Sequence, residues 1–146
     1  MGTPAAWKAA AHPEWLQLLA ATESNNHIPT DLLARIAYQE CSWRPSVIFG
    51  TVVSPAGALG MMQLEPKYFS GCGQWQQDVP RAWAYLGLEL HDRFDDWQMA
   101  VAAYNWGPTA LSQWKKEGSL IARLPAETAN YVRHVFADVP VAGALT

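Results

Sequence analysis

Ile28 is followed by the stretch PTDLLARIAYQECSWRP, from Pro29 to Pro45, and this stretch limits the fold more than any other. Proline suits the first turn of a helix and threonine can cap one, so Pro29 and Thr30 predict a helix start. Leu32, Ile36 and Glu40 are spaced by four, and Leu33 lies seven before Glu40, which puts all four on one helix face. Three of them are core-type residues and the fourth is a carboxylate, close to the helix end that Pro45 enforces. A carboxyl in line with the core is expected to be desolvated, with its pKa raised. Such an acid can stay protonated near neutrality and give its proton to a leaving oxygen. A solvated Glu40 at a frayed helix end is the plainer alternative.

A chain of 146 residues is expected to form one domain, 1–146, with 1–12 a loose Ala-rich arm or a helical turn. At this length about 68–70% of the unfolded surface is buried on folding, so the core needs no covalent staples. A net charge of −3 leaves no electrostatic footprint for nucleic acid, and no apolar run approaches the ~20 residues of a membrane span. Eight tryptophans are many for this length. Some build the core, and the excess suits a surface that stacks on sugars, since indole offers a broad apolar face and one N–H donor. Cys41 and Cys72 have no metal-type spacing and are expected to be free thiols, and neither a cofactor nor a metal is called for.

Periodicity and punctuation predict about six helices with short connections. Pro13 opens the first, with Trp15, Leu16, Leu19 and Ala20 inward and Asn25-Asn26 at its end, and the Glu40 helix follows. Ser46 to Leu59 is the one β-prone stretch, expected as a short extended or hairpin-like segment. Pro80 to Phe94 reads as a helix with Trp83, Leu86, Leu90 and Phe94 inward. Asp95 and Gln98 form a capping-box pattern ahead of Trp97, Ala100, Val101 and Tyr104, an amphipathic stripe. Pro108 opens a helix through Leu111 and Trp114 that stops at Gly118, and Pro125 opens the last, with Tyr131, Val132, Val135 and Phe136 inward. The fold class is all-α.

Four segments then stand in order: Glu40-Cys41-Ser42-Trp43-Arg44-Pro45; Ser54-Pro55-Ala56-Gly57-Ala58-Leu59-Gly60-Met61-Met62-Gln63; Ala102-Ala103-Tyr104-Asn105-Trp106-Gly107-Pro108; and Leu124-Pro125-Ala126-Glu127-Thr128-Ala129-Asn130-Tyr131-Val132. Each alone is a weak signal. Together they resemble the soluble lytic transglycosylase family, which cleaves peptidoglycan on a lysozyme-like fold, and the likeness runs from about Ile28 to about Phe136. The resemblance implies that Glu40 is the general acid and base and that Tyr104 bonds its carboxyl. It further implies that Ser54 and Gln63 line the cleft, that Met62 packs on a sugar ring and that Asn105 holds the neighbouring polar network. Glu127 and Tyr131 would lie at the far rim, towards the peptide stem. From the residues alone, Tyr104 and Gln63 could equally be buried polar groups satisfied within the core, and Met61 and Met62 core filler.

Three positions depart from the family pattern. Cys41 stands for the usual serine, Trp106 for a small residue, where it would extend a sugar-stacking wall or narrow the cleft, and Glu65 brings a second carboxylate near the motif. The expected activity is cleavage between N-acetylmuramic acid and N-acetylglucosamine. A hydrolase of lysozyme type and a non-catalytic wall-binding or tail module are the alternatives. The expected partner is the peptidoglycan strand. The first residues lack a charged segment followed by an unbroken apolar run, so no signal peptide is expected. Delivery to the wall by a phage particle with other virion or lysis proteins, or loss of a leader, is the corresponding expectation.

Overall fold

The computed structural model describes residues 5–70 and 72–146. Among them the secondary structure is helical, with a single isolated β-bridge between Leu59 and Leu64. The chain divides into two compact units, Met1–Trp83 and Ala84–Thr146.

The first unit holds a 3-10 turn at Ala6–Lys8, then α1 (Pro13–Asn25), α2 (Leu32–Cys41), α3 (Pro45–Ile48) and α4 (Trp75–Trp83). Pro13 occupies the first turn of α1, and the helix runs to Asn25 as its sequence predicts. α1 packs on both α2 and α4. Trp15, Leu19, Leu32, Leu33 and Ile36 are all at most 1% exposed. Each contributes about 1.5–3 kcal/mol of burial. Ala20 is exposed, contrary to expectation, and Glu23 is the buried residue at that level of α1.

The start of α2 differs from the expected one. Thr30 caps nothing; Asp31 is the capping residue, in a left-handed conformation with φ of 71°, and its own side chain makes no capping bond. The missing cap comes from α1. The Glu23 carboxylate accepts the N–H of Asp31 at 2.9 Å and that of Ala34 at 3.0 Å. A carboxylate facing exposed N–H groups at the positive end of a helix dipole is well placed on both counts.

The Ser46–Leu59 stretch is corrected in the same way. Pro45 fixes the first φ of α3, so Val47 and Ile48 are buried from a helical turn rather than a strand. The hairpin-like pairing comes later. Leu59 and Leu64 exchange both backbone hydrogen bonds, at 3.0 and 3.1 Å, around the turn Gly60–Gln63. α4 begins at Trp75, five residues before Pro80, which lies inside it. A proline there costs the bond to the carbonyl four residues back without ending the helix.

The second unit begins at a π-helix, Ala84–His91, followed by α5 (Asp92–Phe94), α6 (Trp97–Trp106), α7 (Pro108–Lys116), a 3-10 turn (Ile121–Arg123) and α8 (Ala126–Asp138). Leu86, Leu90 and Phe94 are buried as the spacing predicts, whereas Trp83 is only half-buried. α6 packs against the π-helix, α7 and α8, and is therefore buried almost all round, from Gln98 to Ala103. Its cap is Asp96, not Asp95: Asp96 Oδ1 accepts the Met99 N–H at 2.8 Å, while Asp95 is left-handed and closes α5. Gln98 does not complete a capping box either. It is buried and holds the C-terminal residues, accepting from the N–H of Leu145 and Thr146 and donating to the Val141 carbonyl at 2.8 Å. Asp96 Oδ2 accepts from Ala144 in the same clasp. α7 and α8 agree with the sequence reading, with Leu111, Trp114, Tyr131, Val132, Val135 and Phe136 all buried.

Among the described residues, no helix is long and apolar enough to cross a membrane.

Candidate active site

Glu40 is the ninth residue of α2. Leu32 to Ala37 are all buried, and the helix comes to the surface over Tyr38, Gln39 and Glu40, which are half-buried. The carboxylate thus stands where an apolar helix meets solvent, next to a tight stop. Ser42 and Trp43 both have left-handed backbone, with φ of 50° and 56°. For non-glycine residues such conformations cost on the order of 1–3 kcal/mol each and persist only where the surroundings hold them. The surroundings here are tight. Trp43 is buried, stacks with Trp15 at 6.2 Å between ring centroids, and donates its indole N–H to the Trp7 carbonyl at 2.7 Å. Cys41 is fully buried and its Sγ accepts the Trp43 N–H. Burial pushes the Cys41 thiol up to about 11, so it is an inert thiol beside the candidate acid. Both cysteines are free.

The second motif folds into two turns of the first unit. Ser54 Oγ accepts the Ala58 N–H at 3.0 Å, and Ser54 N–H reaches the Ala58 carbonyl at 2.9 Å, which closes the Pro55–Gly57 turn. Gln63 is half-buried with φ of 51°, and its side-chain amide donates to the Gly60 carbonyl at 3.0 Å. Both predicted cleft residues therefore carry turn bonds of their own. Met62, like Met61, is fully buried. Glu65 is half-buried and pairs with Lys67 at 3.5 Å.

Sequence reading missed Asp78 altogether. It is fully buried on α4, accepts the Gly73 N–H at 2.9 Å through Oδ2, and has no partner at Oδ1 among the described residues. Oδ2 lies so near Gly60 that a Cβ there would stand 2.3 Å away. One carboxylate thus pins the Gly60–Gln63 turn against the segment before α4. Desolvation raises its pKa from 3.8 to about 6, against the lowering influence of the Gly73 bond and of Arg81.

A carboxyl that binds its proton more tightly when folded favours the native state below its unfolded pKa. That contribution is lost as pH rises through the folded value. Here the window runs from about pH 4 to about pH 6, and the swing is at most on the order of 2–3 kcal/mol. Asp78→Asn is expected to remove it. The melting temperature of the variant relative to the parent should rise between pH 4 and pH 7, and a difference that does not change with pH would contradict the assignment.

The third and fourth motifs lie in the second unit. Tyr104 and Asn105 are the eighth and ninth residues of α6, and both are half-buried. The Tyr104 ring meets that of Tyr85, on the π-helix, at 5.7 Å. π-helical turns recur at functional sites, and this one brings a second phenol to the Tyr104 ring. Asn105 Oδ1 accepts the hydroxyl of buried Thr128 at 2.9 Å, tying α6 to α8. Trp106 ends α6 half-buried, and Gly107, with φ of 101°, turns the chain into Pro108. Glu127 is exposed in the first turn of α8. Tyr131, one turn on, is only 6% exposed. Of the tryptophans, Trp7, Trp15, Trp43 and Trp114 are buried and Trp75, Trp83, Trp97 and Trp106 are half-buried. Indole therefore serves the core and leaves a partly open share.

No solved structure matches the chain. Residues 17–120 match the Transglycosylase SLT domain, a span that takes in Glu40, Ser54, Gln63 and Tyr104. The chain, an all-helical lysozyme-like protein of lytic-transglycosylase type directed at the peptidoglycan of the cell wall, belongs to that family.

Proposed function

We propose that the protein cleaves the β-1,4 bond between N-acetylmuramic acid and N-acetylglucosamine, leaving 1,6-anhydromuramic ends, with Glu40 as its single general acid and base. The observation that carries this is the place of Glu40 at the surfacing end of a buried helix, within the span that matches the family. Its competitors within the first unit have other tasks. Glu23 caps α2, Asp31 pairs with Lys8, Glu65 pairs with Lys67, Asp78 holds Gly73, and Glu14 is exposed.

Retaining and inverting glycosidases ordinarily use two carboxyls, about 5–5.5 Å or about 6.5–9.5 Å apart. A lone acid suffices when the substrate supplies the nucleophile. Protonated Glu40 gives its proton to the leaving O4 as the C1–O4 bond breaks. The N-acetyl carbonyl of the muramic residue stabilises the positive charge growing at C1. Glu40, now ionised, takes the proton of the C6 hydroxyl as that oxygen closes on C1. The acid is regenerated, and no water enters. The family resemblance gives Tyr104 the second catalytic role, with Asn105, fixed by Thr128, beside it in the chain. Ser54, Gln63 and Trp106 bind sugar, and Glu127 meets the peptide stem.

Digestion of purified wall in ¹⁸O-labelled water tests the chemistry. Muramic ends without label, lighter by one water than hydrolytic ends, are the expected products. Label at the new muramic end would make the protein a hydrolase, with Glu65 the first residue to examine as the group that places the water.

A further inference from the structure

The short 3-10 turn Ala6–Lys8 lies outside the family match, which begins at residue 17, yet it is fastened to the Glu40 helix. Of the two expected forms, loose arm or helical turn, it takes the second and docks through buried Trp7. It makes two polar ties. Lys8 Nζ donates to Asp31 Oδ1 at 2.7 Å, and the Trp7 carbonyl accepts the Trp43 indole N–H at 2.7 Å. Between these ties the Trp7 ring lies against α2, 6.0 Å from Tyr38 and under the guanidinium of buried Arg35.

The two ties land on particular residues. Asp31, immediately before α2, and Trp43, two residues after it, are both non-glycine residues with left-handed backbone. Strained conformations of this kind persist only when neighbouring groups hold them. The turn thus spans the helix that carries Glu40 and grips a left-handed residue beyond each end. Its hold on Trp43 also fixes the stop that directly follows Glu40-Cys41-Ser42. Glu23 secures the same N-terminal end from the other side, through its bonds to Asp31 and Ala34.

We infer that the Ala6–Lys8 turn is a positioning clamp for the Glu40 carboxyl, with Trp7 and Lys8 acting through Trp43 and Asp31 to hold the acid in its productive place. This inference rests on the assignment of Glu40 as the acid. Trp7, Lys8 and Trp43 are positioning residues and touch no substrate. A small misplacement of a reacting group costs far more in turnover than in binding, and about 1 Å can cost ~10²-fold.

The test uses Trp43→Phe, which deletes one donor and keeps an aromatic ring, and Lys8→Met, which keeps the apolar stem. Each is made in the full chain and assayed on a soluble glycan strand well below its melting temperature. A control, Val135→Ala in α8, lowers the melting temperature without touching the clamp. Expected is a loss of ~10–100-fold in kcat for Trp43→Phe and a smaller loss for Lys8→Met, with KM within about twofold. The control should keep the parent kcat. Parent kcat in both clamp variants overturns the clamp, as does an equal loss of kcat in the Val135→Ala control. Failure of the acid assignment shows separately, as lysis by Glu40→Gln with the clamp residues intact.

Discussion

Glu40→Gln is expected to abolish measurable lysis of purified cell wall. The substitution keeps shape and hydrogen-bonding capacity and removes only the transferable proton. Positioned acid–base catalysis is typically worth ~10²–10⁴ in rate, and in the mechanism above the same group acts twice. Stability should change little, because Glu40 is half-buried at the end of α2 and the amide can occupy the same place. Turbidity clearance and a melting curve on the same sample check both halves. Near-parent clearance would remove Glu40 from the mechanism. Loss of clearance with a collapsed melting temperature would assign it to the fold instead.

Gly60→Ala is expected to be the most damaging small substitution to the fold. Gly60 has φ of 88°, and a Cβ there would meet Asp78 Oδ2 at 2.3 Å and the Gly73 nitrogen at 3.0 Å. Asp78 cannot swing aside, since it is fully buried and bonded to that same Gly73 N–H. Backbone strain of about 1–3 kcal/mol and overpacking of about 1–3 kcal/mol act together, so a loss on the order of 2–6 kcal/mol is expected. Gly57→Ala supplies the comparison. Its φ is 93°, but nothing lies within 4 Å of the added carbon, so only the backbone cost applies. Urea midpoints for the two variants measure the difference. Equal midpoints would mean that Asp78 and Gly73 yield, and that the latch beneath the Gln63 turn is soft.

Much of the helical layout was legible in the residues. α7 and α8 follow their prolines and their apolar spacing, and α6 gives way to α7 at Gly107-Pro108. The candidate site was legible for a different reason. Trp15, Leu19 and Glu23 repeat the spacing-by-four of Leu32, Ile36 and Glu40, so a carboxylate on an apolar stripe occurs twice. Glu23 is the deeply buried member, with its pKa raised mainly by desolvation, and its task is to cap a helix. Glu40 surfaces. Periodicity cannot separate the two; the ordered motifs around Glu40 do.

Local spacing and punctuation by Pro and Gly carry the all-helical class and most helix positions, and the ordered motifs single out Glu40 as the candidate acid. Packing settles which groups satisfy the helix ends and turns. Asp31 and Ala34 are capped by Glu23 from eight and eleven residues away, Gly73 is held by Asp78 from α4, and Trp43 is held by Trp7 from thirty-six residues away. Local candidates such as Thr30 and Asp95 lost to these partners. A buried N–H takes whichever acceptor packing brings within about 3 Å, and nearness along the chain does not determine that.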